Sequence, residues 1–286
     1  MFRFRLLAAV LFIFALRQSA FAGGFADFNQ GLEARNRADV DGEIVAFSRA
    51  LADGDLPDSM KPAALYDRGA AYQHEKKYAE AIADFGAVIT LKPDYREAYA
   101  GRANSNLALG NYEAALQDCK QLIVFTSDSA SLQASCGRVA FLAGRFDEAS
   151  SHFQHALQLH GNPRSASYDL LWLGLTGLKT GKTAASEIGD SVQSSDRHGW
   201  PSPLITFFLG QIGEDALLDA AAKGDATAQK DQQCEVGFYL GEWKLAYQDR
   251  TKAKTLFQQA TQLCPENFIE LDPAKAELAK LQGDAR

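Results

Sequence analysis

The sequence carries no recognisable catalytic signature and has only one long apolar run. It lacks a Gly-x-Ser-x-Gly elbow, a His-Glu-x-x-His helix motif and a paired-carboxylate signature, which argues against the common hydrolase classes. The apolar run, Leu6 to Leu16, is about half of the ~20 residues that span a bilayer, and no later segment is long enough. These absences favour a non-enzymatic protein without a membrane-spanning helix, and no motif calls for a cofactor.

Cysteine is also scarce, and the first of the four cysteines is Cys119. A bacterial lipoprotein needs a cysteine directly after its apolar leader, where this chain has Ala22-Gly23-Gly24. We therefore expect no lipid attachment. Two arginines precede the apolar run and Ala20-Phe21-Ala22 follows it, in the order of a cleavable signal peptide. This pattern assigns residues 1–22 to a signal peptide and predicts a soluble, exported protein of the periplasm.

Positive charge is in the minority, with 29 Lys and Arg against 36 Asp and Glu and a formal net charge of −7. An acidic surface is repelled by phosphate backbones, so nucleic acid is not an expected partner. Partners are therefore expected among proteins or peptides.

What the chain does have is a self-similarity with a period of 34 residues. Small residues recur at that spacing at two places of the period. Four places after the second of them, phenylalanine or cysteine recurs. The series are Gly69, Ala103 and Gly137; Ala81, Ala115 and Ala149; Phe85, Cys119 and Phe153. Small residues let two antiparallel helices approach closely, and the larger residue fills the layer between neighbouring repeats. A period of this length is typical of helix hairpins.

The segment Pro62 to Asp94 resembles a tetratricopeptide repeat, with Gly69, Tyr72, Tyr78, Ala81, Phe85 and Pro93 where that family places its signature residues. The resemblance implies an all-α fold: a right-handed superhelical solenoid of helix hairpins, with a degenerate middle segment and a C-terminal capping helix. We predict an N-terminal array over 23–163, a degenerate helical segment over 164–233, and a last repeat with its cap over 234–286. Within the array the first unit is looser, because Glu43 replaces the usual alanine.

The last third of the chain resembles the NlpI-type envelope tetratricopeptide proteins of Gram-negative bacteria. The resemblance rests on Trp200-Pro201 before an apolar helix, Phe238 to Gly241, Ala253 to Phe257, Asn267 to Glu270 and Ala276 to Leu278. Those proteins are helical adaptors, and in the best-known case a lipidated dimer brings a periplasmic protease to cell-wall hydrolases. The resemblance implies an adaptor for envelope proteins and a homodimer. The alternative is a structural subunit of an envelope secretion or outer-membrane assembly complex.

The first helices of stacked hairpins line a concave groove, which is the expected peptide-binding surface. The candidate groove residues are Tyr66, Gln73, His74, Asn104, Arg138 and Phe141. Aromatic side chains there would bury apolar anchors, and the polar ones would hold backbone amides or a carboxylate. The clamp of chaperone-binding relatives is not matched, because Asp67, Glu97 and Gly101 stand where it needs Lys and Asn. The alternative is that these side chains only keep the wall of the groove soluble.

Three histidines, His152, His155 and His160, lie close together on one predicted helix. A pair spaced i, i+3 can ligate zinc when a carboxylate joins it. Their places in the repeat alternate with core places, so we interpret them as a solvated face and predict no metal site. Gly181-Lys182-Thr183 lacks the upstream glycine of a phosphate loop and is interpreted as a turn between helices.

The four cysteines give one predicted disulfide and one open question. Cys234 and Cys264 fall at the start and the end of one predicted hairpin, hence at the same end of an antiparallel helix pair. That placement predicts a disulfide in an exported chain. Cys119 and Cys136 fall on core-facing places, where either a bond or two buried thiols fits.

Three further expectations concern the region after the array. Trp200, Phe207 and Phe208 fit either a dimer surface or a core, and their apolar setting favours the core. Ala222 to Gln233 is polar and contains Gly224, which predicts an exposed loop. A short helix from Ala274 to Leu281 is expected to cap the open end of the stack.

Overall fold

The computed structural model describes residues 22–196 and 198–283, and all regular elements in these ranges are helices. The predicted signal peptide lies outside the described residues, apart from Ala22. The helices are α1 Ala22–Asn36, α2 Val40–Ala52, α3 Lys61–His74, α4 Tyr78–Leu91, α5 Arg96–Ala108, α6 Tyr112–Phe125, α7 Ala130–Leu142, α8 Phe146–Leu159, α9 Pro163–Lys179, α10 Ala184–Ile188, a 3₁₀ helix Gly189–Ser194, α11 Ser202–Phe208, α12 Glu214–Ala221, α13 Ala226–Ala246, α14 Arg250–Leu263 and α15 Leu271–Gly283. Within these ranges, no helix combines the length and the apolar character needed to cross a membrane.

The chain divides into two compact units, one ending at Phe125 and the other beginning at Thr126. The first unit consists of three hairpins, in which α1 packs on α2, α3 on α4, and α5 on α6. In the second unit α7 packs on α8, α9 on α10, and α13 on α14, while α15 packs on α14. The bounds predicted at 163 and 233 stay predictions, and α13 runs across the second of them.

One contact between a glycine and a phenylalanine ring recurs in four hairpins. A Cβ atom placed on the glycine would lie between 2.7 and 3.1 Å from the ring, so the glycine allows the two helices to approach closely. Each of these four rings is at most 1% exposed. The pairs are Gly31 with Phe47, Gly69 with Phe85, Gly137 with Phe153, and Gly241 with Phe257. These residues occupy the small-residue and aromatic positions of the 34-residue repeat. The prediction that each period forms a helix hairpin is therefore confirmed.

The turns of the hairpins also share one geometry. Lys76, Gly110 and Gly144 stand two residues before a second helix, and each has a left-handed backbone, with φ of 57°, 75° and 74°. After each of them the next amide donates to the carbonyl five residues earlier at 2.8 Å, as in Lys77 to the carbonyl of Tyr72. This bond satisfies a free carbonyl of the ending helix and reverses the chain at once.

Two expectations about helix ends were wrong. Most of the predicted loop 222–233 is helical, because α13 begins at Ala226 and is 21 residues long. Asp225 starts this helix by accepting a hydrogen bond from the amide of Ala228 at 2.9 Å, so the polar residues that follow it form the first turns of α13 rather than a loop. The last helix begins at Leu271 rather than at Ala274.

The glycine contacts predict a contrast between two alanine substitutions. Gly101→Ala would place a Cβ atom 2.6 Å from the Phe85 ring, and we expect a loss of about 1–3 kcal/mol in the free energy of unfolding because the core is overpacked. Gly86 lies in the neighbouring helix α4, and the Cβ atom that Gly86→Ala adds would have only Arg102 nearby, at 3.6 Å. This control should gain about 0.5–1 kcal/mol, because alanine favours a helix interior over glycine. Urea unfolding of both variants measures the difference, and equal effects would contradict the contact.

Candidate functional site

Two of the predicted groove residues of the first unit take part in its packing. The ring of Tyr66 on α3 lies 5.7 Å from that of Phe85 and 5.2 Å from that of Tyr95. Gln73, also on α3, donates from Nε2 to the carbonyl of Gly101 at 3.3 Å and to Oγ of Ser105 at 3.2 Å. Both side chains are half-buried. They therefore hold α3 against its neighbours as well as lining its surface.

The other two predicted groove residues of this unit are exposed. His74 ends α3 with its side chain 72% exposed, and its nearest charged partner is the carboxylate of Glu75 at 3.7 Å. Asn104 is exposed on α5. Because Gln73 bridges these two helices, the exposed pair stands on a fixed backbone.

In the second unit the structure corrects one groove residue. Phe141 is only 4% exposed, because its ring packs edge-on against Trp172 at 5.3 Å and against Phe146 at 5.4 Å. It is a core residue and offers no anchor site. Arg138 on the same helix is half-buried and donates from Nη2 to Oγ of Ser135 at 3.0 Å.

The first unit contains two bidentate ion pairs that the sequence analysis missed. Arg68 binds both oxygens of Asp84 at 2.7 and 2.8 Å, and Arg102 binds both oxygens of Asp118 at 2.7 and 3.0 Å. Each pair joins the two helices of one hairpin, and both carboxylates are buried. The sequence contains a signal for these pairs, because the arginine and the aspartate each recur at the 34-residue spacing. In the next repeat the same two places hold Cys136 and His152.

The solvated-face interpretation was wrong for two of the three histidines. His152 lies 2.8 Å from Gln133, between Nδ1 and Oε1. His160 lies 2.6 Å from the buried carboxylate of Asp169, and its own side chain is 11% exposed. Burial raises the pKa of Asp169, while His160 and Arg138 oppose that rise. The described part of the chain holds no cluster of three or more His, Cys, Asp or Glu side chains suited to a metal ion.

A buried cluster with two carboxylates forms in the second unit. Glu235 on α13 is 4% exposed and Glu270, just before α15, is 2% exposed. Glu235 accepts hydrogen bonds from the hydroxyl of Tyr168 at 3.1 Å and from Nε1 of Trp200 at 2.9 Å. Glu270 accepts one from the hydroxyl of Tyr239 at 2.9 Å. The donors come from α9, from the segment before α11 and from α13, so the cluster joins three parts of this unit.

Burial dominates the electrostatics of this cluster. Loss of hydration, followed by the negative charge of Glu270, raises the pKa of Glu235 to about 8, although Trp200 and Tyr168 stabilise its charge. Burial also raises the pKa of Glu270 to about 6, against the bond from Tyr239 and the charge of Arg138. A carboxyl group that titrates near neutrality can serve in acid–base chemistry. Here both oxygens of Glu235 already accept bonds from the protein, which favours a structural role.

The cysteines and the late aromatic residues complete the second unit. The structure joins Cys234 and Cys264 by a disulfide, with their Cα atoms 4.9 Å apart. Cys119 in the first unit and Cys136 in the second are buried and form no disulfide with each other. Phe207 and Phe208 are also buried, at 7% and 1% exposure, and both contact the ring of Trp243. The core interpretation of these two phenylalanines is confirmed.

Comparison with known proteins agrees with this architecture. Residues 62–95 match the family model for the tetratricopeptide repeat. A tetratricopeptide repeat protein from Parabacteroides merdae has a similar structure, with a TM-score of 0.58 and 14% identity over 91% of this chain and 98% of that one. A MamA protein gives a TM-score of 0.52 and 18% identity, over 62% and 93% of the two chains. Residues 62–95 thus match a tetratricopeptide repeat, and at these identities the likeness to the two solved structures concerns the fold.

The buried carboxylates predict a pH dependence of stability. Because folding raises the pKa of Glu235 from 4.5 to about 8 and that of Glu270 to about 6, the folded state binds protons more tightly than the unfolded state. The contribution of these two groups to the free energy of unfolding should therefore be greatest below pH ~4.5. It should be lost as the pH rises through the folded-state pKa values of about 6 and about 8. The side chain introduced by Glu235→Gln cannot ionise. The melting temperature of this variant should therefore decline much less above pH ~6 than that of the unchanged chain.

The matched control for this measurement is Asp219→Asn, since Asp219 is exposed on α12 of the same unit. Melting temperatures of the three proteins are compared between pH 5 and pH 8.5. A decline of equal size in Glu235→Gln and in the unchanged chain would rule out Glu235 as its source.

Proposed function

We propose that this protein is a non-catalytic adaptor that binds proteins or peptides of the cell envelope through the first helices of its repeats. The observation that carries the proposal is the surface of α3 and α5. There His74 and Asn104 are exposed, while Gln73 bridges the two helices beneath them. A surface held in place before binding loses little conformational entropy on contact with a partner, which favours affinity.

The bonding of the buried titratable groups within the described residues supports the adaptor over an enzyme. Glu235 and Glu270 accept hydrogen bonds from the protein, and His160 is engaged with Asp169. None of these groups is presented to a substrate in the way that acid–base catalysis requires. The recruitment of a protease or of cell-wall hydrolases, and a homodimer, follow from the resemblance to NlpI-type proteins and belong to this proposal.

Site-specific crosslinking tests the binding surface. A photoreactive amino acid at His74 or Asn104 should crosslink to a discrete set of envelope proteins in intact cells. The control position is Gln117, which is exposed on the second helix α6 of the same unit. Crosslinks of equal yield from Gln117 would contradict the assignment of the first helices. A single product of fixed stoichiometry would favour the structural subunit instead.

The location is tested separately. The order of two arginines, an apolar run and Ala20-Phe21-Ala22 predicts cleavage after Ala22 and release into the periplasm. Osmotic shock should therefore release a soluble protein whose N-terminal sequence begins at Gly23. Recovery in the membrane pellet with Met1 intact would mean that the segment is an anchor.

A further inference from the structure

One residue of the first unit differs in kind from the residues at the same position of the other repeats. The small-residue place at the contact between helices is filled by Ala81, Ala115 and Ala149, each with no exposed surface. In the first hairpin that place holds Glu43, which is 7% exposed on α2. A buried carboxylate costs free energy unless it is paired, so its presence among alanines needs a physical reason.

Glu43 has no such partner within the described chain. Its side chain makes no hydrogen bond or ion pair among these residues, in contrast to Asp84 and Asp118, each of which binds an arginine. The helices packed on α2 are α1 and α3. The charged groups that act on it electrostatically are Arg35 of α1 and Asp67 and His74 of α3. Burial and the charge of Asp67 raise the pKa of Glu43, while Arg35 and His74 lower it.

The nearby guanidinium is already committed to another carboxylate. Nη1 of Arg35 lies 2.8 Å from Oδ1 of Asp67, so one cation serves two carboxylates and a negative charge remains uncompensated. His74 is 72% exposed and stands at the edge of this group. The group therefore contains one carboxylate more than it has arginine partners, beside the exposed side chain of His74.

Negative potential continues along the same surface. Burial raises the pKa of the half-buried Tyr66 and Tyr95, and the negative charges of Glu97 and Asp67 raise it further. The rings themselves are 5.2 Å apart. Carboxylates beside tyrosine rings suit a lysine or arginine side chain, whose stem packs on the rings while its charge meets the acids.

We propose that Glu43 and Asp67 together receive a lysine or arginine side chain from a basic segment of a partner protein. The inference rests on the proposed adaptor function and names the chemistry of its partner. The positive charge of the incoming side chain pairs with the carboxylate of Glu43. Arg68 and Arg102 provide such a charge to the other two buried carboxylates of this unit. The acidic net charge of the chain, −7, draws the same class of partner by long-range attraction.

The probe is an eight-residue peptide, acetylated and amidated at its ends, with three lysines separated by alanines. Its counterpart carries norleucine in place of each lysine, which keeps the stem and removes the charge. Calorimetry on the full mature chain should show binding of the lysine peptide only. Glu43→Gln should weaken that binding about tenfold or more, as expected for the loss of one partner of a desolvated charge pair. Asp67→Asn should weaken it in the same direction.

The matched control is Glu80→Gln, because Glu80 is exposed on α4 of the same unit. It should leave the affinity within about twofold of the unchanged chain, as expected for an exposed charge. The melting temperature provides a second readout. Glu43→Gln removes an unpaired buried charge, so its melting temperature should stay level or rise while its affinity falls.

Other results would overturn the proposal. Equal binding of the norleucine peptide, or unchanged affinity in Glu43→Gln, would show that the charge pair is not made. A drop in melting temperature that accompanies the loss of affinity would assign Glu43 a structural role. If partner crosslinks at His74 and Asn104 persist while Glu43→Gln binds normally, the adaptor function stands and this inference alone fails.

Discussion

The approach of a phenylalanine ring to a glycine backbone is the contact on which the other features of this structure depend. The ring occupies the space that a Cβ atom would need, as in Gly69 with Phe85. Close helices in turn bring Arg68 within reach of Asp84, and place the left-handed turn residues where the chain must reverse. Because protein interiors are closely packed, the residues at the two places must match in volume. In the hairpin of α5 and α6 these places hold the buried Ala103 and Cys119.

Charge is handled differently in the two units. In the first unit, arginine neutralises Asp84 and Asp118 within single hairpins. The second unit instead surrounds Glu235 and Glu270 with neutral donors from tyrosine and tryptophan. Neutral donors leave the carboxylates sensitive to burial, which explains why their pKa values rise toward neutrality. Glu235 and Glu270 therefore make the stability of the second unit depend on pH near neutrality.

The repeat period was sufficient to predict the helix hairpins, because the Gly–Phe contact is local and recurs at a constant offset. Prediction failed where contacts join distant parts of the chain. Trp200 and Glu235 are 35 residues apart and Tyr168 and Glu235 are 67 apart, and no periodic signal links them. Phe141 was placed in the groove by its register, but Trp172 of the irregular helix α9 covers it. The predicted groove residues Tyr66 and Gln73 lie on α3, but the sequence pattern did not predict their packing contacts.

The two arginine–aspartate pairs have a consequence for how this protein can vary in length. Each pair is completed inside one hairpin, whereas neighbouring hairpins meet through the Phe85 ring on Gly101 and through one amide of Gln73. The second and third hairpins are thus each neutralised internally and share an uncharged border, whereas Arg35 of the first hairpin pairs with Asp67 of the second. Insertion of a further hairpin between the second and the third would therefore leave both arginine–aspartate pairs intact.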